Sequence, residues 1–350
     1  MTLEVRKLTG CEETRQAWDD FVRSHPEGSF FHLSYWYDIC TQGAGLSCVF
    51  LIAYDETKIV GVLPLTLHKS LVFGKAVKSI AFGVEGGPLT INEEARKALD
   101  HAAQNECKSH GSPYLEYRSV KASHREQINW HVKDGMYARF RRPILEGEDA
   151  NILALPNKQR PTVRKGMKAE LVCTFGDDLE EFHAHYSASV HRLGTPVFSK
   201  SYFTALLKFV PSEEREILVV RTPEGKSIGA LLTFFYEGIG LPYYMGSLPE
   251  ARQWAVNDFM LFKQLVRAGE KGCHTYDLGR SKVGTGSYDF KKKLGYTPEQ
   301  YEYEYLMLDG SEMPDMSPKN PKYQLMIKTW QKMPLFLANI IGPLVSKDLS

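Results

Sequence analysis

The chain has 350 residues, 43% hydrophobic and 24% charged, an ordinary mixture for a soluble globular protein and long enough for two separate cores. Lys and Arg number 43 against 42 Asp and Glu, so global charge excludes an argument for nucleic acid or membrane, and such binding must come from local patches. The six cysteines (11, 40, 48, 107, 173 and 273) show no C-x-x-C and no metal-ligand spacing with the 11 histidines; no metal site is signalled, and reduced thiols in a cytoplasmic protein are expected.

In chain order, MTLEVRKLTGCEETRQAW has no apolar h-region, so no signal peptide is expected, and no apolar run approaches the length of a membrane span. A helix is predicted over 14–25, then the Phe31-His-Leu-Ser-Tyr-Trp36 element and a second helix. CVFLIAYDE and KIVGVLPLTL read as two strands joined by a short polar turn, rich in β-branched and aromatic residues. A third strand is expected to carry the glycines of AFGVEGGPL (81–89). ARKALDHAAQNECKSHG then has apolar residues at helical steps and a closing Gly, and YLEYRS ends the series at a strand.

The same landmarks recur further on, in the same order and at nearly one spacing. A helix over 178–193 precedes Phe198-Ser-Lys-Ser-Tyr-Phe203. REILVVRTPE and KSIGALLTFFYE form the second strand pair, and KSIGAL from Lys226 resembles KIVGVL from Lys58. PYYMGSLPE (242–250) answers the glycine segment, NDFMLFKQLVRAGEKG answers the long helix, and YDLGRS ending at Ser281 answers YLEYRS. The reading is an α+β chain of two tandem units, 1–150 and 151–310, followed by a tail over 311–350.

Near its end the second unit carries GRSKVGTGSYDFKKKLGY (279–296), in which Gly279, Gly284, Gly286 and a hydroxyl cluster stand between a strand and a basic helix. Backbone N–H groups and the helix dipole favour an anion at such a loop. It is not a Walker A loop, because Thr285 and Gly286 follow Gly284 where Lys and Ser/Thr belong, and not a dinucleotide motif, because Asp289 stands in the third glycine's place.

This organisation is that of the GNAT acyltransferase fold, and the tandem arrangement resembles the FemAB family. The resemblance runs over nearly the whole chain and is carried by NKQRPTVRKGMKAEL (157–171), HRLGTPVFSKSYF (191–203), NDFM (257–260) and above all 279–296. It is nearest the FemAB-like proteins associated with PEP-CTERM/exosortase systems, which accompany exopolysaccharide production. FemAB enzymes take an amino acid from aminoacyl-tRNA and attach it to an amine of a cell-wall precursor. The resemblance therefore implies an aminoacyl or acyl transferase, no cofactor, an aminoacyl-tRNA or other acyl donor, and a phosphate-bearing envelope or polysaccharide precursor as acceptor. Acetyl-CoA is disfavoured, since the Q/R-x-x-G-x-G/A loop of single-domain GNATs has no match in GSLPEARQWAVNDF. An acyl-CoA or acyl-carrier N-acyltransferase and a non-catalytic partner of a polysaccharide system remain the other readings.

Phe290 and Lys291 match the family's Phe-Lys, whose lysine contacts phosphate; the other reading of Lys291–Lys293 is a solvated helix face. Arg280 is placed to grip a carboxylate or phosphate, or to pair with Asp277 or Asp289. Ser281, Gly284, Thr285, Gly286 and Ser287 form the loop's candidate binding surface. Tyr288 could orient a substrate oxygen or be a core aromatic. Tyr243 and Tyr244 lie on the strand lining the transfer cleft, one facing the cleft and the other the core. Asn257 and Asp258 open a helix and read as N-caps, with Asp258, Glu85 and Asp277 as candidate bases. Arg160, Arg164 and Lys168 form a stripe for a diphosphate or tRNA backbone, or a solubilising surface. Gly83, Glu85, Gly86 and Gly87 mirror the second cleft, with Glu85 where the family often has tyrosine. The tail over 322–349 flanks Trp330, Leu335, Phe336, Leu337, Ile340, Ile341, Leu344 and Val345 with lysines. It is expected either at the inner membrane surface or packed as a brace on one of the domains.

Overall fold

A computed structural model describes residues 3–70, 74–308, 310 and 321–347. Contacts divide the described residues into two compact units, one of 3–70, 74–136, 300–308, 310 and 347, the other of 137–299 and 321–346.

The first unit begins with β1 (Glu4–Lys7), α1 (Glu12–Ser24) and the short α2 (Tyr35–Asp38). The predicted strand pair follows as β2 (Ser47–Asp55) and β3 (Lys58–Ser70), then β4 (Gly74–Ser79) and the brief β5 (Leu89–Thr90). The glycine segment is not the expected strand: β4 ends at Ser79, and Gly83, Gly86 and Gly87 lie in the loop after it. A Cβ on Gly83 or Gly86 would stand 2.8 or 2.3 Å from Ile80, and one on Gly87 2.5 Å from Ser119, so the glycines sit in a tight turn with no room for side chains. Next come α3 (Glu93–His110), capped by the Asn92 side chain and closed by Gly111 at φ +69°, then β6 (Tyr114–Tyr117) and β7 (Trp130–Lys133). Leu51, Leu63, Val77, Leu99, Leu115 and Leu306 form the core between the sheet and α3.

The second unit opens with β8 (Tyr137–Pro143), α4 (Glu148–Leu153), α5 (Arg160–Lys168), β9 (Val172–Gly176), α6 (Leu179–Leu193) and α7 (Lys200–Phe209). The second strand pair is β10 (Arg215–Arg221) and β11 (Ser227–Tyr236), followed by β12 (Ile239–Ser247) and α8 (Val256–Glu270). Then come β13 (Thr275–Asp277), β14 (Ser281–Lys282), α9 (Gly286–Lys293) and β15 (Thr297–Gln300). The chain continues through β16 (Tyr303–Met307), α10 (Pro321–Lys332) and α11 (Leu335–Ser346).

The sheets run β1-β2-β3-β4-β6-β16-β7, with β5 on β3, and β14-β8-β13-β12-β11-β10-β9, with β15 on β8. Each is an antiparallel run of four strands, then a parallel pair reached through the long helix, β4 with β6 and β12 with β13. The two hairpins beginning at Lys58 and Lys226 occupy the same place in their sheets. Both carry an irregularity just before the turn, at Ala53/Tyr54 and at Val220/Arg221. A Cβ at Gly61 would meet Leu99 of α3 at 3.0 Å, and one at Gly229 would meet Val256 of α8 at 3.0 Å. The shared glycine is therefore where each crossover helix rests on its sheet.

The closing strands differ from expectation. β6 pairs with β16, and β13 pairs with β8, so each sheet is finished by a strand from the far side of the expected division. Residues 137–150 lie with the second unit and 300–310 with the first. In the tail, α10 and α11 pack on α6, with His191 Nε2 2.8 Å from the Met333 carbonyl and Gln331 donating to the Arg192 carbonyl at 3.0 Å. This is the brace arrangement on the second unit; 311–320 and 348–349 lie outside the described residues.

Candidate functional site

The site is built where β13 ends. The Asp277 carboxylate is buried, accepts the Gly279 N–H at 2.7 Å and takes Arg141 Nε from β8 at 2.5 Å. Gly279, at φ +66°, turns the chain in a conformation that a side chain would strain. From α9, Lys291 reaches back and its Nζ donates to the carbonyls of Leu278 (2.6 Å), Gly279 (3.0 Å) and Arg280 (3.1 Å). An ammonium has three donors, so three carbonyls engage them all. Phe140 of β8 closes the other side, 5.3 Å from Nζ. Burial pushes the Lys291 ammonium down to about 7, with Arg280 adding to the shift and Asp277 opposing it. Lys291 is thus not on a solvated helix face, because the loop carbonyls draw its long stem inward.

Around it, Thr285 caps α9: its Oγ1 accepts the Tyr288 N–H and donates to the Lys282 carbonyl at 2.7 Å. Ser281 and Ser287 share a hydroxyl contact of 2.8 Å, and Gly284 sits at φ +74°. Gly286 has open space where a Cβ would stand. Arg280 and Lys282 both lie over the Tyr137 ring, at 4.4 and 5.9 Å. Tyr288 packs edge-on to Phe140 at 5.3 Å and, with Phe290, against the second core, the core-aromatic alternative for Tyr288.

β12 supplies the opposite wall. Leu232 pairs with Tyr244 and Thr233 with Pro242, so Tyr243 is the unpaired residue of a bulge, a device that re-aims a side chain. Its ring edge lies 3.9 Å from where a Gly279 Cβ would be. Tyr244 points into the core, its hydroxyl 2.9 Å from that of Tyr202 among Tyr186, Phe198 and Phe203.

Other expected residues are placed elsewhere. The N-cap of α8 is Ala255, at φ +54° with no side-chain cap bond, so Asn257 and Asp258 fall inside the first turn and are not caps. The Asn257 Oδ1 is buried without a hydrogen-bond partner, and burial raises the Asp258 carboxyl above its usual range. Arg160 donates to the Leu155 carbonyl at 2.9 Å, which ties it into the start of α5, while Arg164 and Lys168 are exposed. Glu85 is in the first unit, buried and accepting the Tyr301 hydroxyl at 2.7 Å. It borders a shallow open pocket with Gly86, Gly87, Arg118 and Ser119. Sequence reasoning missed Tyr137, Phe140 and Arg141, because β8 was assigned to the other half of the chain; the alternation of YARFRRP was the available signal.

Residues 157–292 match the family model of an acetyltransferase (GNAT) domain. The chain resembles the crystal structure of FemX at 16% identity and a TM-score of 0.67, covering 93% of this chain and 100% of that one. It also resembles a tandem GNAT protein from the clavulanic acid biosynthesis pathway (13% identity, TM-score 0.55, 89% and 100% covered). L-PGS from Bacillus licheniformis is similar at 12% identity and a TM-score of 0.52, with 91% and 97% covered. None of the curated proteins matches. The fold is α+β, a tandem of GNAT-like domains.

Proposed function

We propose that this chain is an acyltransferase that moves an aminoacyl group from an activated ester onto an amine of a phosphate-bearing envelope or exopolysaccharide precursor, on the cytoplasmic side. The observation that carries the reading is the Lys291 ammonium held at the exit of β13, inside the segment that matches the GNAT model and beside the capped start of α9. In this reaction the acceptor nitrogen attacks the ester carbonyl, the C–O bond to the donor's ribose breaks, and the attacking nitrogen loses the proton that the departing ribose oxygen gains. Such a step needs no covalent enzyme intermediate; positioning and a fixed positive charge near the developing oxyanion supply the rate. The Lys291 ammonium, with its three donors on loop carbonyls, would supply that charge through space.

The connection from β12 to α8 favours an ester donor over acyl-CoA. Where a single-domain GNAT has a glycine-rich pyrophosphate loop, this chain has the 3₁₀ helix Pro249–Trp254, then Ala255 and the Asp258 carboxyl in the first helical turn. A carboxylate there competes with phosphate for the same N–H groups. The likeness to FemX supports the aminoacyl donor, and the sequence resemblance over 279–296 supports a place beside a PEP-CTERM/exosortase polysaccharide system. Exposed Arg164 and Lys168 are proposed to meet donor phosphates.

The test offers the purified protein tRNA charged with labelled amino acids, in parallel with labelled acetyl-CoA, and UDP-linked muropeptide and amino-sugar acceptors. Label passing from tRNA to an acceptor amine, and lost in a folded Lys291→Ala variant, supports the reading. Transfer from acetyl-CoA alone overturns the donor, and transfer from neither overturns the activity.

A further inference from the structure

The last described helix, α11, shows an inverted pattern. A surface helix ordinarily buries its large apolar side chains and presents polar ones. In α11 the residues turned inward are small, Ala338, Gly342 and Ser346, spaced four apart and all buried. A Cβ at Gly342 would lie 2.7 Å from Val197, so the contact with the second unit requires a residue without a side chain. The opposite face carries Phe336, Ile340 and Leu344, again four apart, at 65%, 66% and 65% exposure. Leu335, Leu337 and Ile341 widen the apolar face, each more than a third exposed.

The segment that carries this face has charge of one sign. Between residues 317 and 347 there is no Asp or Glu, while Lys319, Lys322, Lys328, Lys332 and Lys347 are present. Lys328 and Lys332 are exposed, one helical turn apart on α10, and Lys332 and Lys347 bracket α11 in sequence. A helix of 12 residues is roughly 18 Å long and cannot cross a bilayer core of about 30 Å. No described helix is long and apolar enough to cross a membrane.

We propose that the outer face of α11 docks on an anionic lipid surface, with α11 lying in the plane of the interface and the α10 lysines against the headgroups. Contiguous apolar exposure of this kind marks a binding surface, and an apolar helix face combined with basic residues gives the two signals that interfacial binding requires. A second copy of the chain fits less well, because face-to-face α11 helices would bring like-charged lysine sets together. The inference stands apart from the transfer chemistry, because it uses none of the site's residues.

The test is flotation of the full chain with vesicles of phosphatidylglycerol in phosphatidylethanolamine, against vesicles of phosphatidylcholine, with sedimentation velocity without lipid. The wild-type chain should float with the anionic vesicles, lose binding in high salt, and be monomeric without lipid. Phe336→Ser/Ile340→Ser/Leu344→Ser should cut flotation about tenfold with an unchanged melting temperature, since these side chains are exposed. Lys328→Glu/Lys332→Glu should cut it on anionic vesicles without altering the apolar face, a readout that stands even if the triple variant misfolds. Equal flotation of wild type and both variants overturns the proposal. A dimer that the serine variants dissociate, without vesicle binding, overturns it in favour of a second copy.

Discussion

His124 is fully buried with its Nδ1 2.9 Å from Glu304 Oε1 and its Nε2 2.8 Å from Asp100 Oδ2, stacked on Trp130 at 3.9 Å. Both ring nitrogens face carboxylates, so both must donate and the ring is an imidazolium. Burial alone would lower its pKa, but the bonds to Asp100 and Glu304 outweigh this and raise it. The folded pKa lies above the unfolded value of about 6.5, so the stabilisation is complete below about pH 6.5 and is lost as pH rises through the raised value. His124→Gln should lower stability by roughly 2–3 kcal/mol at pH 6 and flatten this pH dependence. Urea midpoints measured from pH 6 to pH 9 for both proteins check it. Lys291 carries the other residue-scale prediction. With its ammonium near pKa 7, kcat/KM for the proposed transfer should fall as pH rises past about 7, because the charge is lost. In Lys291→Arg, whose guanidinium stays charged, residual activity should lack this descending limb. An unchanged limb in the arginine variant would assign it to another group.

Among the elements, glycines separate structural demands from site demands. Gly246 on β12 lies under α6, where a Cβ would stand 2.2 Å from the His185 carbonyl oxygen, and backbone cannot swing away. Gly246→Ala should therefore destabilise the second unit by roughly 2–3 kcal/mol. In the site loop, Gly284 stands at φ +74° with open space around it, so alanine there should cost about 1 kcal/mol through backbone strain alone. Gly286 has neither a positive φ nor a neighbour within 4 Å, and alanine should leave stability within about 0.5 kcal/mol. Any loss of transfer activity in Gly286→Ala then reports on a ligand approaching the start of α9. Chemical denaturation of the three variants, followed by the transfer assay, orders these effects.

The whole molecule depends on two strands far from the sheets' other members in sequence. β16 stands between β6 and β7, and its Glu304 accepts from the His124 ring, the Ser119 hydroxyl and the backbone N–H of Ser123 and His124. A fragment of residues 1–150 lacks β16, leaving β6 with an open edge and β8 without its sheet. It should be insoluble, or lack a cooperative transition, as unpaired edges associate. Co-expression with 151–350 should restore solubility by supplying both partners. A fragment 1–150 that melts cooperatively by itself would show that the exchange is dispensable.

The sequence alone determined what local rules control. Landmarks in one order exposed the duplication, KIVGVL from Lys58 and KSIGAL from Lys226 among them, since each copy must build the same sheet. Gly111, left-handed after its helix, made that end legible, and the glycine loop before α9 was recognisable from its composition. Tertiary structure decided the rest. Which sheet receives β8 or β16 depends on pairing energies between strands more than a hundred residues apart, and their own alternation is the same for either choice. The bulge at Tyr243 exists only in the register of β11 with β12. The sequence leaves Lys291 between a phosphate-contacting lysine and a solvated helix face; only the turn at Gly279 aims three carbonyls at its ammonium, a bond set that no helical periodicity encodes.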